Sequence, residues 1–489
     1  MSRSLILFDV VNAKIRAMLI PSTVLDWFVS SLLVIFATVT ALHALLHKRD
    51  PRSSLLWVIV CLSLPFIGPV FYLLFGINRA SSRVLKLGAV PETALSEMPV
   101  FIPDPESSHG DPLLLLGSAL TGLPIVDGNQ VELLENGDEA YPSMLESIKQ
   151  AKEWVYLSFY IFEHQGVGQQ FIDALTSAME RGVDVRVLLD GVGAWYDRGR
   201  TEKILRSRGV RVEVFLPPAK VIPRLEINLR NHRKVVLVDG KIGFTGGMNI
   251  RPEHVLRDAD PKEATRDVMF RIRGPVLEQM GRVFTEDWRF ACGERLPERV
   301  YENEQRGASR CRAISDGPGV HLDVLMHIII SAINSAEKTL NIITPYFLPP
   351  RELIVAIQAA SLRGVDVNII LPSNNNLPYV HWAMRNSLWQ YLQYGAKIYY
   401  QPPPFAHTKL LIVDSCYCQF GSANLDIRSL RLNFELNIET LDSELAESLL
   451  GKFEQIRNES TQVTLEDLAT RPLYIRIWDA FWWLLTPYL

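Results

Sequence analysis

Two long apolar runs dominate the N-terminal part of the chain, Val24 to Leu46 and Ser54 to Gly76. Either is long enough to cross a hydrocarbon core of roughly 30 Å at about 1.5 Å per residue. Asp26 and His43 lie near the edges of the first run, and Trp57 and Tyr72 lie near the ends of the second, where amphipathic rings favour a membrane–water interface. Pro65 and Pro69 predict a kink in the second run, because each removes a helical N–H. Only His47 to Arg52 connects the two runs, so a helical hairpin with both outer ends on one side is expected. The turn carries Lys48, Arg49 and Arg52; the flanks carry Arg3, Lys14, Arg16, Arg79, Arg83 and Lys86. The basic excess on the flanks places them, and everything beyond, on the cytoplasmic side. Met1 to Ile20 mixes apolar residues with Arg3, Lys14 and Arg16 and reads as an interfacial helix. Residues 1–79 are thus expected to form a membrane anchor with helices at about 24–46 and 54–76. Residues 80–127, rich in Pro, Ser and Gly, are expected to be a linker.

Beyond residue 127 the pattern changes to short β-branched runs alternating with amphipathic stretches, and it does so twice. Arg181-Gly182-Val183-Asp184-Val185 is repeated as Arg363-Gly364-Val365-Asp366-Val367, and upstream Trp154 to Phe162 parallels Leu340 to Phe347. Each half reads strand, helix, strand, helix, strand, then a hairpin. This predicts an α/β fold of two pseudo-symmetric halves, 128–310 and 311–467, with mixed, largely parallel sheets flanked by helices. Residues 468–489 set Trp478, Phe481, Trp482 and Trp483 beside Arg471 and Arg476. They read as an amphipathic segment, suited either to a membrane surface or to packing against the rest of the chain.

The two predicted hairpins carry the densest pattern of polar residues. Asn231-His232-Arg233-Lys234-Val235-Val236-Leu237-Val238-Asp239 is echoed by Ala406-His407-Thr408-Lys409-Leu410-Leu411-Ile412-Val413-Asp414. Each copy continues into Gly-small-x-Asn: Gly246-Gly247-Met248-Asn249 and Gly421-Ser422-Ala423-Asn424 (407 − 232 and 424 − 249 both give 175). In a strand, His and Lys two apart project from one face. Asp239-Gly240 is a hairpin signal; a two-residue loop there pairs Val238 with Lys241 and sets His232 opposite Gly247. The same diagram sets Ser422 opposite His407. Asp239 is seven residues from its own His, roughly 23 Å along an extended strand, so it is expected to fix the turn and not to touch the imidazole.

Composition excludes some chemistry. The formal net charge is −4, which offers no general basic field for nucleic acid. The cysteines, Cys61, Cys292, Cys311, Cys416 and Cys418, are odd in number and read as reduced thiols. No compact His, Cys or carboxylate cluster has metal-ligand spacing, so no metal and no cofactor is expected.

The doubled His-x-Lys-x4-Asp pattern resembles the signature of the phospholipase D superfamily over roughly Val131 to Leu450. Within it, the two apolar runs, Arg49-Asp50-Pro51, Tyr72-Leu73-Leu74-Phe75-Gly76 and Arg471-Pro472-Leu473 resemble the bacterial cardiolipin synthases. The resemblance implies one phosphodiester-transfer site built from both halves. In it, one imidazole attacks phosphorus to give a phosphohistidine and the other protonates the departing alkoxide. It assigns His232 as nucleophile and His407 as acid/base, and Lys234, Lys409, Asn249 and Asn424 to the non-bridging oxygens. It includes Asp239 and Asp414 in the motif. It places an acidic residue behind each His: Glu435 for the second copy and Asp267 for the first. Glu253 and His254 read as solvated loop residues, and Asn374 to Asn376 as a polar loop, with contact to a lipid head group as the alternative. Asp426, Arg428 and Ser429 divide evenly between loop structure and site support.

The implied activity is transfer of a phosphatidyl group between two phosphatidylglycerols, giving cardiolipin and glycerol, in a bacterial inner membrane. The expected partners are phosphatidylglycerol, other anionic phospholipids and the membrane, with no nucleic acid and with homo-oligomerisation left open. A phospholipase D-type hydrolase, a synthase using phosphatidylethanolamine, a nuclease and a non-catalytic scaffold are the alternatives.

Overall fold

The computed structural model describes residues 24–48, 51–76, 112–217, 229–302, 304–318 and 322–486. The expected interfacial helix at Met1 to Ile20 lies outside these residues. The chain divides into two compact units, Met1–Ser82 and Arg83–Leu489.

In the first unit, the helix Val24–His47 is long and apolar enough to cross a membrane. The second apolar run departs from expectation, since it is not one helix. It forms Pro51–Ser63, breaks at Leu64 to Phe66, and resumes as the short helix Ile67–Phe71 followed by a π-turn, Tyr72–Gly76. The two prolines explain the break: neither offers an N–H, and the chain is bridged by Leu64 N–H to Val60 O (3.1 Å), Gly68 N–H to Leu64 O (2.8 Å) and Val70 N–H to Phe66 O (3.3 Å). The two arms pack through small residues: Ala41 and Ala44 face Trp57, Cys61 and Tyr72, and the Ser54 hydroxyl donates to Ala44 O at 3.2 Å. The outward faces remain apolar, with Leu32, Ile35, Leu55, Ile59, Phe66 and Phe71 exposed.

The second unit is built on one continuous sheet of 15 strands. In chain order these are β1 (Val126–Glu135), β2 (Trp154–Phe159), β3 (Asp184–Asp190), β4 (Arg211–Phe215), β5 (Val235–Val238), β6 (Ile242–Gly246), β7 (Val268–Arg273) and β8 (Ser309–Asp316). They continue as β9 (Thr339–Ile343), β10 (Asp366–Pro372), β11 (Lys397–Gln401), β12 (Leu410–Val413), β13 (Tyr417–Gly421), β14 (Glu435–Leu441) and β15 (Thr461–Val463). The spatial order is β15-β11-β10-β9-β12-β13-β14-β8-β1-β7-β6-β5-β2-β3-β4. The halves therefore mirror one another about the β8–β1 seam.

Only β2–β3, β3–β4, β9–β10 and β10–β11 pair in parallel. The other neighbouring pairs are antiparallel, so the sheet is mixed but not largely parallel. Repetition of strand–helix units signalled the crossovers correctly. It missed that the two motif hairpins, β1 and β8, and the strands β7 and β14 all add antiparallel neighbours.

The crossover helices follow from their spacing. Val167–Glu180 buries Phe171, Ile172, Leu175 and Ala178, and Arg351–Leu362 buries Leu353, Ala356, Ile357 and Ala360, each set a single helical stripe against the sheet. On the first half's other face, Val276–Cys292 buries Val276, Met280, Val283, Phe284 and Trp288.

Two expected boundaries move. Pro112–Thr121 is a helix, not linker. Its Leu113 is buried against the second half's core, and the fully buried Arg312 donates to Leu114 O (3.1 Å) and Ser118 Oγ (2.6 Å) while pairing with Glu439 at 2.5 Å. A buried guanidinium needs those acceptors, which is why the Pro- and Gly-flanked Leu run orders there. The expected division at 310/311 falls inside β8, which pairs with β14 of the second half.

Candidate active site

Both hairpins close differently from the two-residue diagram. Val238 pairs with Ile242 and Val413 with Tyr417, so the loops hold three residues, Asp239 to Lys241 and Asp414 to Cys416. The cause is two successive left-handed residues in each, Asp239 and Gly240 (φ 50° and 65°), then Asp414 and Ser415 (φ 49° and 54°). The register shifts by one, and the ladders end before the histidines, so Gly247 and Ser422 are not their cross-strand partners. Asp239 and Asp414 hold these turns. The Asp239 carboxylate accepts from the N–H groups of Lys152, Glu153 and Trp154 at 2.8, 2.9 and 2.8 Å. Asp414 accepts from Glu337, Lys338 and Thr339 at 2.6, 2.8 and 2.7 Å. Each satisfies the amides at the start of the neighbouring strand, β2 or β9. Neither reaches the cavity.

The histidines are set by contacts between the halves. Phe405–Ala406 pairs in parallel with Thr265–Arg266, and Asn231 bridges Phe434 in parallel. One residue further along each pairing, His407 meets Asp267 and His232 meets Glu435. His407 Nδ1 lies 2.8 Å from Asp267 Oδ2. His232 Nδ1 lies 3.0 and 3.1 Å from the Glu435 oxygens. This corrects the expected assignment: the carboxylates cross over, so Glu435 of the second half backs the first histidine and Asp267 of the first half backs the second.

The two carboxylates are housed differently. Glu435 also accepts from Ser422 Oγ (2.5 Å), Ser429 Oγ (2.9 Å) and Asn433 Nδ2 (3.1 Å). Asp267 accepts from Val268 N–H at 2.8 Å and runs past Gly247, where a Cβ would lie 2.6 Å from its Oδ1. Ser422 and Gly247, at equivalent places in the two motif copies, therefore serve one purpose by opposite means: a hydroxyl that binds the carboxylate, and an absent side chain that admits it.

Both imidazoles line a cavity of about 300 Å³ together with Asn249 and Asn424. Asn249 Oδ1 accepts from Ile161 N–H at 3.1 Å, whereas Asn424 Oδ1 has no partner among the described residues. Lys234 and Lys409 are buried and donate to the carbonyls of their own histidines at 2.5 and 2.6 Å. Lys409 Nζ also stands 3.0 Å from both ring nitrogens of His407.

Several cavity residues escaped sequence reasoning. Tyr160 stacks edge-on to His232 at 5.3 Å and Tyr346 to His407 at 6.1 Å; they occupy matching places in the Trp154–Phe162 and Leu340–Phe347 repeat, which was the available signal. His254, expected in solvent, is buried and lines the cavity, its Nδ1 3.2 Å from Thr265 O. Asn376, by contrast, belongs to the polar run weighed for head-group contact, and it does line the cavity, accepting from the Tyr346 hydroxyl at 2.7 Å.

Burial sets the charges. It pushes His232 down to about 4 and His407 well below the ordinary histidine value. Burial also works to raise the Glu435 carboxyl, but His232, Lys234 and the Ser422 hydroxyl outweigh it and hold that group down at about 2. For Asp267 burial wins and the carboxyl rises. A phosphodiester anion between the rings opposes the histidine shifts and favours one imidazolium.

Burial lowers Lys234 to about 7 and Lys409 to about 8. A lowered lysine is cationic below its pKa and neutral above it. We therefore expect kcat/KM to fall as pH rises through roughly 7 to 8. A profile flat to pH 9 would show that neither ammonium is needed.

Two His-x-Lys hairpins facing one cavity across a pseudo-twofold, each His braced by the opposite half, define a protein of the phospholipase D-like fold. The family described as cardiolipin synthase, PLD-like domain, matches residues 144–288 and 329–457, and the phospholipase D-nuclease N-terminal family matches 32–76. The cardiolipin synthase of Geobacillus sp. (strain WCH70) is 32% identical over 91% of this chain and 90% of its own length. The major cardiolipin synthase of Bacillus subtilis (strain 168) is 31% identical over 94% and 99%. The phosphatidylserine synthase of Haemophilus influenzae Rd KW20 shares the fold, with TM-score 0.60 at 18% identity over 78% of this chain and 100% of that one. The chain belongs to the cardiolipin synthase family of phospholipase D-like proteins. With its apolar N-terminal helix it is a membrane-associated protein.

Proposed function

We infer that the protein is a cardiolipin synthase joining two phosphatidylglycerols with release of glycerol. The observation that carries this reading is the pair of histidines on one cavity, each braced at Nδ1 by a carboxylate, in a chain of this family. With Nδ1 occupied, Nε2 is the nitrogen available to phosphorus.

In the first step His232 Nε2 bonds to phosphorus, the bond from phosphorus to the glycerol oxygen breaks, and His407 gives its proton to that oxygen. In the second, His407 takes the proton from a hydroxyl of the acceptor lipid, whose oxygen bonds to phosphorus as the P–N bond breaks. We take His232 as the nucleophile and His407 as the acid/base, the roles that the family resemblance implies. Lys234, Lys409, Asn249 and Asn424 stabilise the charge on the non-bridging oxygens, the lysines from behind the rings.

The broken second apolar run returns the chain through the inner membrane, and the basic flanks favour a cytoplasmic catalytic unit. At the C-terminus, the helix Leu473–Leu484 serves two ends. One side packs on Pro378–Ser387 through Asp479, which accepts from Arg385 (2.8 and 2.6 Å) and Arg471 (2.6 Å). Tyr474, Ile477, Phe481 and Leu484 stay exposed and suit a lipid surface.

The test is purified protein on phosphatidylglycerol vesicles with the products resolved by mass spectrometry. Cardiolipin and free glycerol in equal amounts are expected, with phosphatidic acid minor. Phosphatidic acid as the main product, with cardiolipin at background, would make the protein a hydrolase.

A further inference from the structure

The pseudo-symmetry of the cavity reverses in charge just after the motif asparagines. After its motif asparagine the first half continues Arg251-Pro252-Glu253-His254, and the second half, at the same offset as the motifs, Asp426-Ile427-Arg428-Ser429. Arg251 thus corresponds to Asp426, and Glu253 to Arg428, with the charges reversed. Arg251, Asp426 and Arg428 all line the cavity.

Their partners differ. Arg251 is neutralised by Glu163 at 2.6 Å and Glu253 at 2.8 Å. Arg230, a third cavity arginine, lies 3.4 Å from Asp190. Asp426 caps the short helix Ile427–Arg431, accepting from Ser429 N–H at 2.7 Å. The Arg428 guanidinium, half-buried, feels the field of Asp426 but makes no hydrogen bond or ion pair among the described residues. A partly desolvated cation on a cavity wall without a direct counter-charge is a site for an anion.

The scissile phosphate is already provided for by the histidines, lysines and asparagines. On the reading above, the reaction brings a second anion. The acceptor phosphatidylglycerol carries its own phosphodiester one glycerol away from the attacking hydroxyl, and the product holds both phosphates at that separation. We propose that Arg428 forms the subsite for the acceptor lipid's phosphodiester, selecting an anionic glycerophospholipid over water or a neutral alcohol. The proposal rests on the synthase reading and deepens it: the cavity's near-symmetry serves the shared chemistry, and the reversed charge at Arg428 distinguishes acceptor from donor.

The experiment uses the full chain on phosphatidylglycerol vesicles with ethanol added as a neutral competing acceptor. Cardiolipin, phosphatidylethanol and phosphatidic acid are measured together. Arg428→Ala is expected to lower cardiolipin formation by about 10- to 100-fold, the range of one charge-assisted hydrogen bond. Phosphatidylethanol should fall far less, so the product ratio shifts by at least about tenfold. Should the alanine variant fail to fold, Arg428→Lys carries the test: it keeps the charge but loses the two-pronged donor, and its cardiolipin share should drop severalfold. A cardiolipin-to-phosphatidylethanol ratio equal to wild type in the folded variants overturns the subsite. Wild-type protein that makes phosphatidylethanol and phosphatidic acid but no cardiolipin overturns the synthase reading itself, and the two failures are distinguished by the wild-type arm.

Discussion

Replacing either His232 or His407 by alanine is expected to reduce cardiolipin formation by at least about 10³-fold, and the double replacement to cost little more. Nucleophilic attack and proton transfer are consecutive demands of one displacement, so losing either leaves the other nothing to assist. The structure ties both to one cavity, and each ring is braced from the other half, so neither half holds a complete imidazole–carboxylate pair of its own. Rates from the two single variants and the double variant form the check. Single variants that each keep about half the wild-type rate, with activity lost only in the double variant, would mean two independent sites, contrary to the single cavity. A residual rate in His407→Ala that rises with small imidazole-like acids added to the buffer would further mark His407 as the proton donor.

Much of this site could be read from the chain because it depends on local spacing. His and Lys two apart, the β-branched run after them and the glycine-rich return are properties of one hairpin, and their repetition at one constant offset marks them as a pair. The seven-residue gap before Asp239 already separated the turn from the imidazole. What could not be read depends on contacts between residues far apart in sequence. The crossed carboxylates are fixed by Phe405–Ala406 pairing with Thr265–Arg266 and by the Asn231–Phe434 bridge, neither of which has a local signature. The one-residue error in hairpin register came from Asp414 and Ser415, non-glycine residues held at positive φ, where spacing alone favours a shorter loop. The broken second apolar run was half legible: Pro65 and Pro69 marked the place, but not that the helix would stop there. His254 was misplaced because its neighbour Glu253 made the segment look solvated. In the fold, Glu253 turns to Arg251 and the histidine turns inward.

The crossed bracing makes its own large prediction. Glu435 is fully buried and accepts from His232, Ser422, Ser429 and Asn433, and it is held ionised at about 2. Glu435→Gln keeps the volume and removes the charge. The two serine hydroxyls can rotate to suit an amide, so the fold is expected to survive. The imidazolium at His232 loses its counter-charge, and the Nδ1–H loses its strongest acceptor. Turnover should therefore fall by roughly 10² to 10⁴, the range seen when a histidine's orienting carboxylate becomes an amide. Asp267→Asn should cost a similar factor through His407, although its carboxyl is less firmly ionised. The pairing itself can be read with protein labelled at histidine nitrogen. Glu435→Gln should move the Nδ1 resonance of His232 and leave that of His407 nearly in place, while Asp267→Asn does the reverse. The opposite pattern, each replacement acting on the histidine of its own half, would refute the crossed arrangement and return each half to a self-contained unit.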